Sequence, residues 1–478
     1  MPKRKIRDEG GCELDREVKA SYARHSDEKV RCSHPELDEN CLFSIPGLRY
    51  ATESWAGMKT SNEDRYVFSA EFFPGPVFGI FDGHGGTSTA DFLTRQLVKT
   101  TASAVRQNIG AKAVSDLQRL QVHSGQEKSR KDAIVEQVGL LQQQLAEVEA
   151  MNADSTSETS NDTSADELLA LADQLTDAIS QMNTEMQQIE AEEATRRGER
   201  QEWFDEQHNH FLKSFKDAFE RVDSQILLKH SSQDGSTALL AWFLADSTGD
   251  SGGDANAEAG ESSAGGLSFY TVNVGDCRAV ICRGGRAVTL TSDHKPDRPD
   301  EKQRIERAGG FVGKIAGISR VYSAAGAGLA MQQEASTYLA VSRAFGDRSL
   351  KAPTPLVSCE PEVKRFQVQH DDLFLVLACD GIWDVLSEQN VVDIVLPHFH
   401  DAKAAADAVV KAAYRKGSVD NLTATVVQFG WKSDVQVQQA LENSKGVNSS
   451  TPRGRFSVHE AAAQVDNGSE EEIDMFNL

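Results

Sequence analysis

Paired cysteines are the first thing missing from this chain. Seven Cys are scattered at Cys12, Cys32, Cys41, Cys277, Cys282, Cys359 and Cys379, with no C-x-x-C spacing and an odd total. Reduced thiols in an intracellular protein are the expectation, rather than a disulfide framework. Basic residues are also short. Lys and Arg number 50 against 73 Asp and Glu, for a net charge of -23 and a pI near 5.0. Phosphate neutralisation needs clustered Lys and Arg, so nucleic acid is excluded as the main partner. An anionic membrane surface is excluded with it. No stretch approaches the roughly 18 apolar residues that span a bilayer. The opening MPKRKIRDEGG leads into no apolar run, so no secretory signal is expected. Lys3-Arg4-Lys5 reads either as a nuclear address or as a solvated tail, and a cytoplasmic and/or nuclear location is expected.

What is present is 39% hydrophobic residues over 478 positions. That supports one large domain with insertions, or two or three ordinary ones. The stretch FGIFDGHGG, from Phe78 to Gly86, is the most informative. Three apolar residues make a buried strand, and Asp82, Gly83 and His84 stand where Gly-rich turn chemistry ends it. Alone, Asp-Gly-His reads equally well as a turn followed by a surface His. The same logic then repeats. Asp276 follows a Gly in TVNVGDCRAV, where a strand Gly marks a bulge or close approach. Asp380-Gly381 ends the apolar run DDLFLVLACDG, with Asp384 close behind, and Asp420-Asn421 leads into LTATVVQFG. Upstream, two β-rich runs flank Pro74-Gly75-Pro76, which predicts a hairpin that carries Glu63 or Asp64 towards Asp82. Only one of those adjacent acids can readily face the site, because neighbouring strand residues point to opposite faces.

Five acids at strand ends or kinks, without Cys and with one nearby His, suit Mg²⁺ or Mn²⁺ better than Zn²⁺. Several carboxylates held together repel one another unless cations are present. Two such ions about 3.5–4 Å apart can share a water, lower its pKa and favour in-line attack on a phosphoryl group. His84 is then suited to protonate the leaving alkoxide.

Between these motifs the chain changes character. Residues 1–45 read as a polar leader. From 106 to 200 aromatics almost vanish, and apolar residues recur in heptads at Ile134, Val138, Leu141, Leu145 and Val148. A second series is Leu168, Leu171, Leu175, Ala178, Met182 and Ile189. This predicts an inserted, coiled-coil-like helical hairpin. It either packs on itself or serves as a dimerisation or partner-docking arm; disorder is the remaining reading. Phe211, Phe215 and Phe219 mark a core-facing helix over 203–228, with His208 and His210 read as surface or capping residues. Residues 246–266 read as a flexible loop and 431–478 as an acidic, disordered tail or a partner-binding segment.

FGIFDGHGG, NVGDCRAV, SDHKPDRPDEKQRIERAGGFV, YLAVSRAFGD, LACDGIWDVLS and SVDNLTATVV occur in that order. Together they resemble the metal-dependent Ser/Thr protein phosphatases of type 2C. The resemblance covers residues 46–430, with 106–200 outside it. It implies an α+β fold, a four-layer α-β-β-α sandwich with two central antiparallel sheets. It implies hydrolysis of phosphoserine or phosphothreonine on proteins by a metal-bridged hydroxide, with two Mg²⁺ or Mn²⁺ ions and a third at a weaker position. Asp82 would bridge both metals, and the Gly83 carbonyl would bind one. Glu63 would face the second metal with Asp64 behind it, Asp380 and Asp420 would complete the other, and Asp276 with Asp380 would match the third. His84 would be the general acid, Asp384 would support Asp380, and Arg343 receives no direct role. Lys59 stands where the family often has a phosphate-gripping Arg, so it keeps the charge and loses the bidentate fork. The link between GGFV and YLAVSRAFGD is longer and richer in Gly and Ala than usual, with Arg320-Val321 as a remnant of the family's motif. A phosphatase-fold scaffold working through the insert and tail is the alternative. A two-metal nuclease fails for lack of a basic groove.

Overall fold

The computed structural model describes residues 45, 47–155, 162–229, 233–244, 267–323, 338–352 and 354–447. The 1–44 part of the leader, the 246–266 loop and the tail beyond 447 therefore lie outside the described residues. In chain order the strands begin with β1 (Leu48–Trp55), β2 (Arg65–Ser69), β3 (Val77–Phe81) and β4 (Gly83–His84). Three helices follow: α1 (Ser88–Ile109), α2 (Ala111–Ser155) and α3 (Asp162–Lys229). Then come β5 (Gly235–Ser236), β6 (Ala238–Leu244), β7 (Ser268–Val274), β8 (Arg278–Arg283) and β9 (Arg286–Thr289). After α4 (Pro299–Arg307) the chain forms β10 (Gly310–Ile315), β11 (Ile318–Ser323), β12 (Tyr338–Leu339), β13 (Phe345–Gly346), β14 (Glu362–Gln367) and β15 (Asp372–Ala378). The last elements are α5 (Asp380–Trp383), α6 (Glu388–Val395), α7 (Ala402–Arg415), β16 (Leu422–Phe429) and α8 (Asp434–Val447).

Two five-stranded antiparallel sheets carry the fold, ordered β1-β16-β15-β8-β9 and β14-β7-β6-β3-β2. The side-chain period of two assigns each strand two partners. In β3, Phe78 and Ile80 join the apolar cluster shared with the other sheet, while Val77 and Phe81 join the cluster under α1 and α3. In β6, Leu239, Ala241 and Phe243 take the first role, and Leu240, Trp242 and Leu244 the second. The expected helix over 203–228 is the end of α3: Phe211, Phe215 and Phe219 are all buried, and Phe215 meets Trp242 and Tyr270 at ring distances of 6.1 and 5.4 Å. On the far sheet α7 lies against β1 and β16, burying Ala405, Ala406, Val409, Val410 and Ala413. The expected hairpin around Pro74-Gly75-Pro76 is β2–β3, with Arg65 opposite Phe81. That register brings Glu63 and Asp64 to the end of β3 where Asp82 stands.

Three details differ from expectation. The helical arm has no boundary at 200, because α3 runs unbroken from the arm into the domain core. Its seam also passes through Ala172 and not Leu171, which is 42% exposed. Leu168, Ala172, Leu175, Ile179, Met182, Met186 and Ile189, all partly or fully buried, keep a strict 4-3 spacing, and the expected Leu171 and Ala178 each lie one place off it. They face Ile134, Val138, Leu141, Leu145 and Val148 of α2, and Lys131 pairs with Glu193 at 2.6 Å. Finally, residues 434–447, expected in a disordered tail, form helix α8. Val437 and Ala440 are buried there, and Asn443 donates to the Gly284 carbonyl at 3.0 Å. Two small apolar residues at i and i+3 are a weak signal in sequence, yet they suffice once the β8–β9 turn offers a surface. Within the Gly/Ala-rich link, β10 and β11 pair as a hairpin, with Arg320 opposite Gly313. Residues 324–337 of that link lie outside the described residues.

Candidate active site

Asp82, Asp276 and Asp380 converge from three strand ends. Each offers a carboxylate oxygen, and these oxygens lie within 4.8 Å of one another. Asp82 follows β3 and is fixed by its backbone: its N–H donates to Thr237 Oγ1 at 3.2 Å, and its carbonyl accepts the Thr237 N–H at 2.9 Å. Asp276 follows Gly275, whose φ of +110° and closeness to Thr237 leave no space for a side chain. Asp380 opens α5 directly beyond β15. The three acids come from β3, β7 and β15, which belong to both sheets, so the site sits at the rim where the sheets meet.

The other expected acids surround this group. Asp64 is buried, and its Oδ2 accepts from Thr423 Oγ1 at 2.6 Å, while Oδ1 is buried with no hydrogen-bond partner. Glu63 is half-buried, and its backbone N–H donates to Asn421 Oδ1 at 2.9 Å. Gly83 packs so closely on Glu63 that a Cβ there would run into the Glu63 carbonyl. Asp420 forms an ion pair with Lys59, and Asp276 with Lys295. The sequence reading assigned Lys59 but gave Lys295 no role, although it stands inside SDHKPD.

The electrostatics follow from crowding. Burial, then the charges of Asp380, Asp64, Asp276 and Asp420, hold the Asp82 carboxyl well above the usual range. Burial, then Asp276, pushes Asp380 up to about 8. Burial pushes Asp64 up to about 6, against the pull of its Thr423 bond. Burial, with Asp276 and Asp420, raises Asp384. Buried like charges at this spacing disfavour ionisation unless a cation neutralises them. The donors are all hard oxygens, and the partnerless Asp64 oxygen supplies another, so the residues fit a hard divalent cation.

His84 lies beside this acid group on β4, 30% exposed, with Nε2 at 2.9 and 3.0 Å from the two carboxylate oxygens of Asp347. Burial lowers its pKa, but the Asp347 contact outweighs that and the net shift is upward. Asp347, the last residue of SRAFGD, had no expected role. Arg343 of the same motif turns away from the acids, donating to Glu301 Oε1 at 2.7 and 3.0 Å and to the Glu360 carbonyl at 2.7 Å. His208 bonds the Tyr270 hydroxyl at 2.8 Å on the helix-covered face of the sheet that contains β7, and His210 is exposed. Neither approaches the site.

Three acids converging at the rim of an antiparallel two-sheet fold form a group that could hold a metal ion. The family model described as "Protein phosphatase 2C" matches residues 141–422, and the chain belongs to that family. It is 40% identical over 215 residues to "Probable protein phosphatase 2C 45" of Oryza sativa subsp. japonica, covering 45% of this chain and 62% of that protein. It is 39% identical over 216 residues to "Probable protein phosphatase 2C 59" of Arabidopsis thaliana, covering 45% of this chain and 57% of that one. The chain thus spans about six-tenths of the length of these curated relatives. Its fold is similar to the serine-threonine phosphatase 2C of Toxoplasma gondii, with a TM-score of 0.50 at 19% identity, covering 80% of this chain and 96% of that one.

Proposed function

We propose that this protein hydrolyses phosphoserine and phosphothreonine on proteins with Mg²⁺ or Mn²⁺. The observation that carries the reading is the convergence of Asp82, Asp276 and Asp380 in a member of the 2C phosphatase family. These three, with Glu63, Asp64, Asp420 and the Gly83 carbonyl, are the candidate cation ligands. Bound there, the cations supply Lewis acidity, acidifying a water molecule and neutralising phosphoryl oxygens. Lys59, 40% exposed at the site's edge, supplies a mobile positive charge for the substrate phosphate, without the fork that an Arg would offer. His84 delivers a proton to the departing serine or threonine oxygen. The two sheets stack with helices outside both, an α-β-β-α sandwich; this reading is supported by the alternating apolar clusters of β3 and β6.

The deciding experiment is hydrolysis of a phosphothreonine peptide with Mn²⁺, with Mg²⁺ and with EDTA, alongside Asp82→Asn. Metal-dependent turnover lost in the variant supports the reading. A folded protein with no turnover in either metal moves the scaffold alternative to the front.

The helical arm supplies a specific reason to keep a partner in view. Val135, Leu140, Met151, Leu169 and Leu171 are exposed on it, and no Lys or Arg occurs from Asp132 to Thr195 while Asp and Glu recur throughout. Two such arms repel each other, so a protein partner of opposite charge fits the arm better than a second copy of this chain. Sedimentation at low salt should give a monomer. A dimer that is lost when 132–195 is deleted would overturn this.

A further inference from the structure

Asp347 has an environment that its place in a loop does not require. Its backbone sits at φ +49°, in the left-handed region that costs a non-glycine residue strain. Its carboxylate is 7% exposed, with both oxygens at hydrogen-bond distance from His84 Nε2. The backbone is held from both sides: the Asp347 N–H donates to the Asp234 carbonyl at 3.2 Å, and the Gly346 N–H donates to Asp223 Oδ1 at 2.9 Å. Lys351 secures Asp223 in turn at 2.6 Å.

The strand between the two partners is equally specific. Gly235 on β5 pairs with His84 on one side and with Gly346 on the other. A Cβ at 235 would run into both Asp347 Oδ2 and His84 Nε2. The fold thus leaves out a side chain at a position where it would separate the pair. With Nε2 engaged, Nδ1 is the ring nitrogen left for chemistry, and it has no protein partner among the described residues.

We propose that Asp347 is the positioning residue for His84, holding its Nε2–H so that Nδ1 carries the proton given to the leaving group. This rests on the reading of His84 as the general acid. As the P–O bond breaks, its electron pair goes to the serine or threonine oxygen, which takes the Nδ1 proton. His84 is left as the neutral Nε2–H tautomer, still donating to Asp347, until solvent returns a proton to Nδ1.

The test compares two leaving groups on the full chain with Mn²⁺. A phosphothreonine peptide expels an alkoxide and needs the acid; p-nitrophenyl phosphate expels a stable phenolate and does not. Asp347→Gly suits φ +49° without strain and removes the carboxylate. It should lower kcat on the peptide about 10- to 100-fold and leave kcat on the aryl phosphate within about threefold. Gly235→Ala, which pushes the pair apart with both side chains retained, is read in the same way and stands in if Asp347→Gly does not fold. Equal losses on both substrates, or no loss on either, would overturn the positioning role. His84→Gln run alongside separates the two ideas. If it shows the leaving-group selectivity and the positioning variants do not, only the Asp347 inference fails. If it shows none, the reading of His84 as the acid fails.

Discussion

Asn421 Oδ1 accepts the backbone N–H of Glu63 at 2.9 Å, across 358 positions of sequence. The Asn421 amide nitrogen also donates to the carbonyls of Ala56 and Ser61, each at 2.9 Å. One buried side chain thus fixes the whole loop that carries Lys59, Glu63 and Asp64 beside Asp420. Asn421→Ala removes three hydrogen bonds that hold this loop and should cost about 2 kcal/mol or more of stability. Activity should fall further than stability explains, with a higher Mn²⁺ requirement. Urea unfolding and a Mn²⁺ titration of turnover check both.

The acid cluster is destabilising without cations. Asp380→Asn removes one of three crowded carboxylates and should raise the stability of the metal-free protein by about 1–3 kcal/mol. The same variant should lose most of the Mn²⁺-induced rise in Tm. Thermal melts with EDTA and with Mn²⁺ read both effects, and a variant less stable than the parent in EDTA would contradict the repulsion argument.

Glu301 is the opposite case. Burial pushes its pKa up, yet bonds from Arg343, Arg304 and Ser342 outweigh that and hold it at about 2 against an ordinary 4.5. A folded pKa below the unfolded one means stability that is present above pH 4.5 and lost as pH falls towards 2. Glu301→Gln should cost about 3 kcal/mol at pH 7, because it leaves the partly buried Arg343 and Arg304 charges without their carboxylate. The gap between parent and variant should shrink by more than half at pH 3, as urea unfolding at the two pH values would show.

Lys59 pairs with Asp420 and is 40% exposed, so it is free to swing to a ligand. Lys59→Arg should lower KM for a phosphopeptide several-fold through bidentate contact, and Lys59→Ala should raise it about tenfold. Steady-state kinetics on one peptide decide this. An unchanged KM in both would remove Lys59 from phosphate recognition.

Ile189 is 2% exposed in the seam of the arm. Ile189→Asp should open α2 from α3 and reduce the helical signal at 222 nm. Turnover of p-nitrophenyl phosphate should stay within about twofold, since none of the three converging acids lies on α2 or α3.

Much of the site was legible because Asp82, Asp276 and Asp380 each follow an apolar run beside a Gly, and Asp420-Asn421 leads into another such run. That pattern is local, and it placed Asp82, Asp276, Asp380 and Asp420 at strand ends before any coordinates. The β2–β3 hairpin was readable for the same reason, since turn residues and alternation lie within a dozen positions. The arm was legible as heptads, but Leu171 and Ala178 were expected where Ala172 and Ile179 continue the seam, because a mixed 3-and-4 spacing does not say which of two adjacent apolar residues faces the partner helix.

The sequence by itself determined which residue types stand at each strand end and their order along the chain. Those follow from side-chain periodicity and turn chemistry, which act between neighbours. Only the tertiary structure decided that Asp347 meets His84 across 263 positions, that Asn421 anchors the Glu63 loop, and that residues 434–447 fold against the β8–β9 turn. Such pairings depend on sheet register and on which surfaces two distant segments bring together. Neither leaves a periodic trace in the segments themselves.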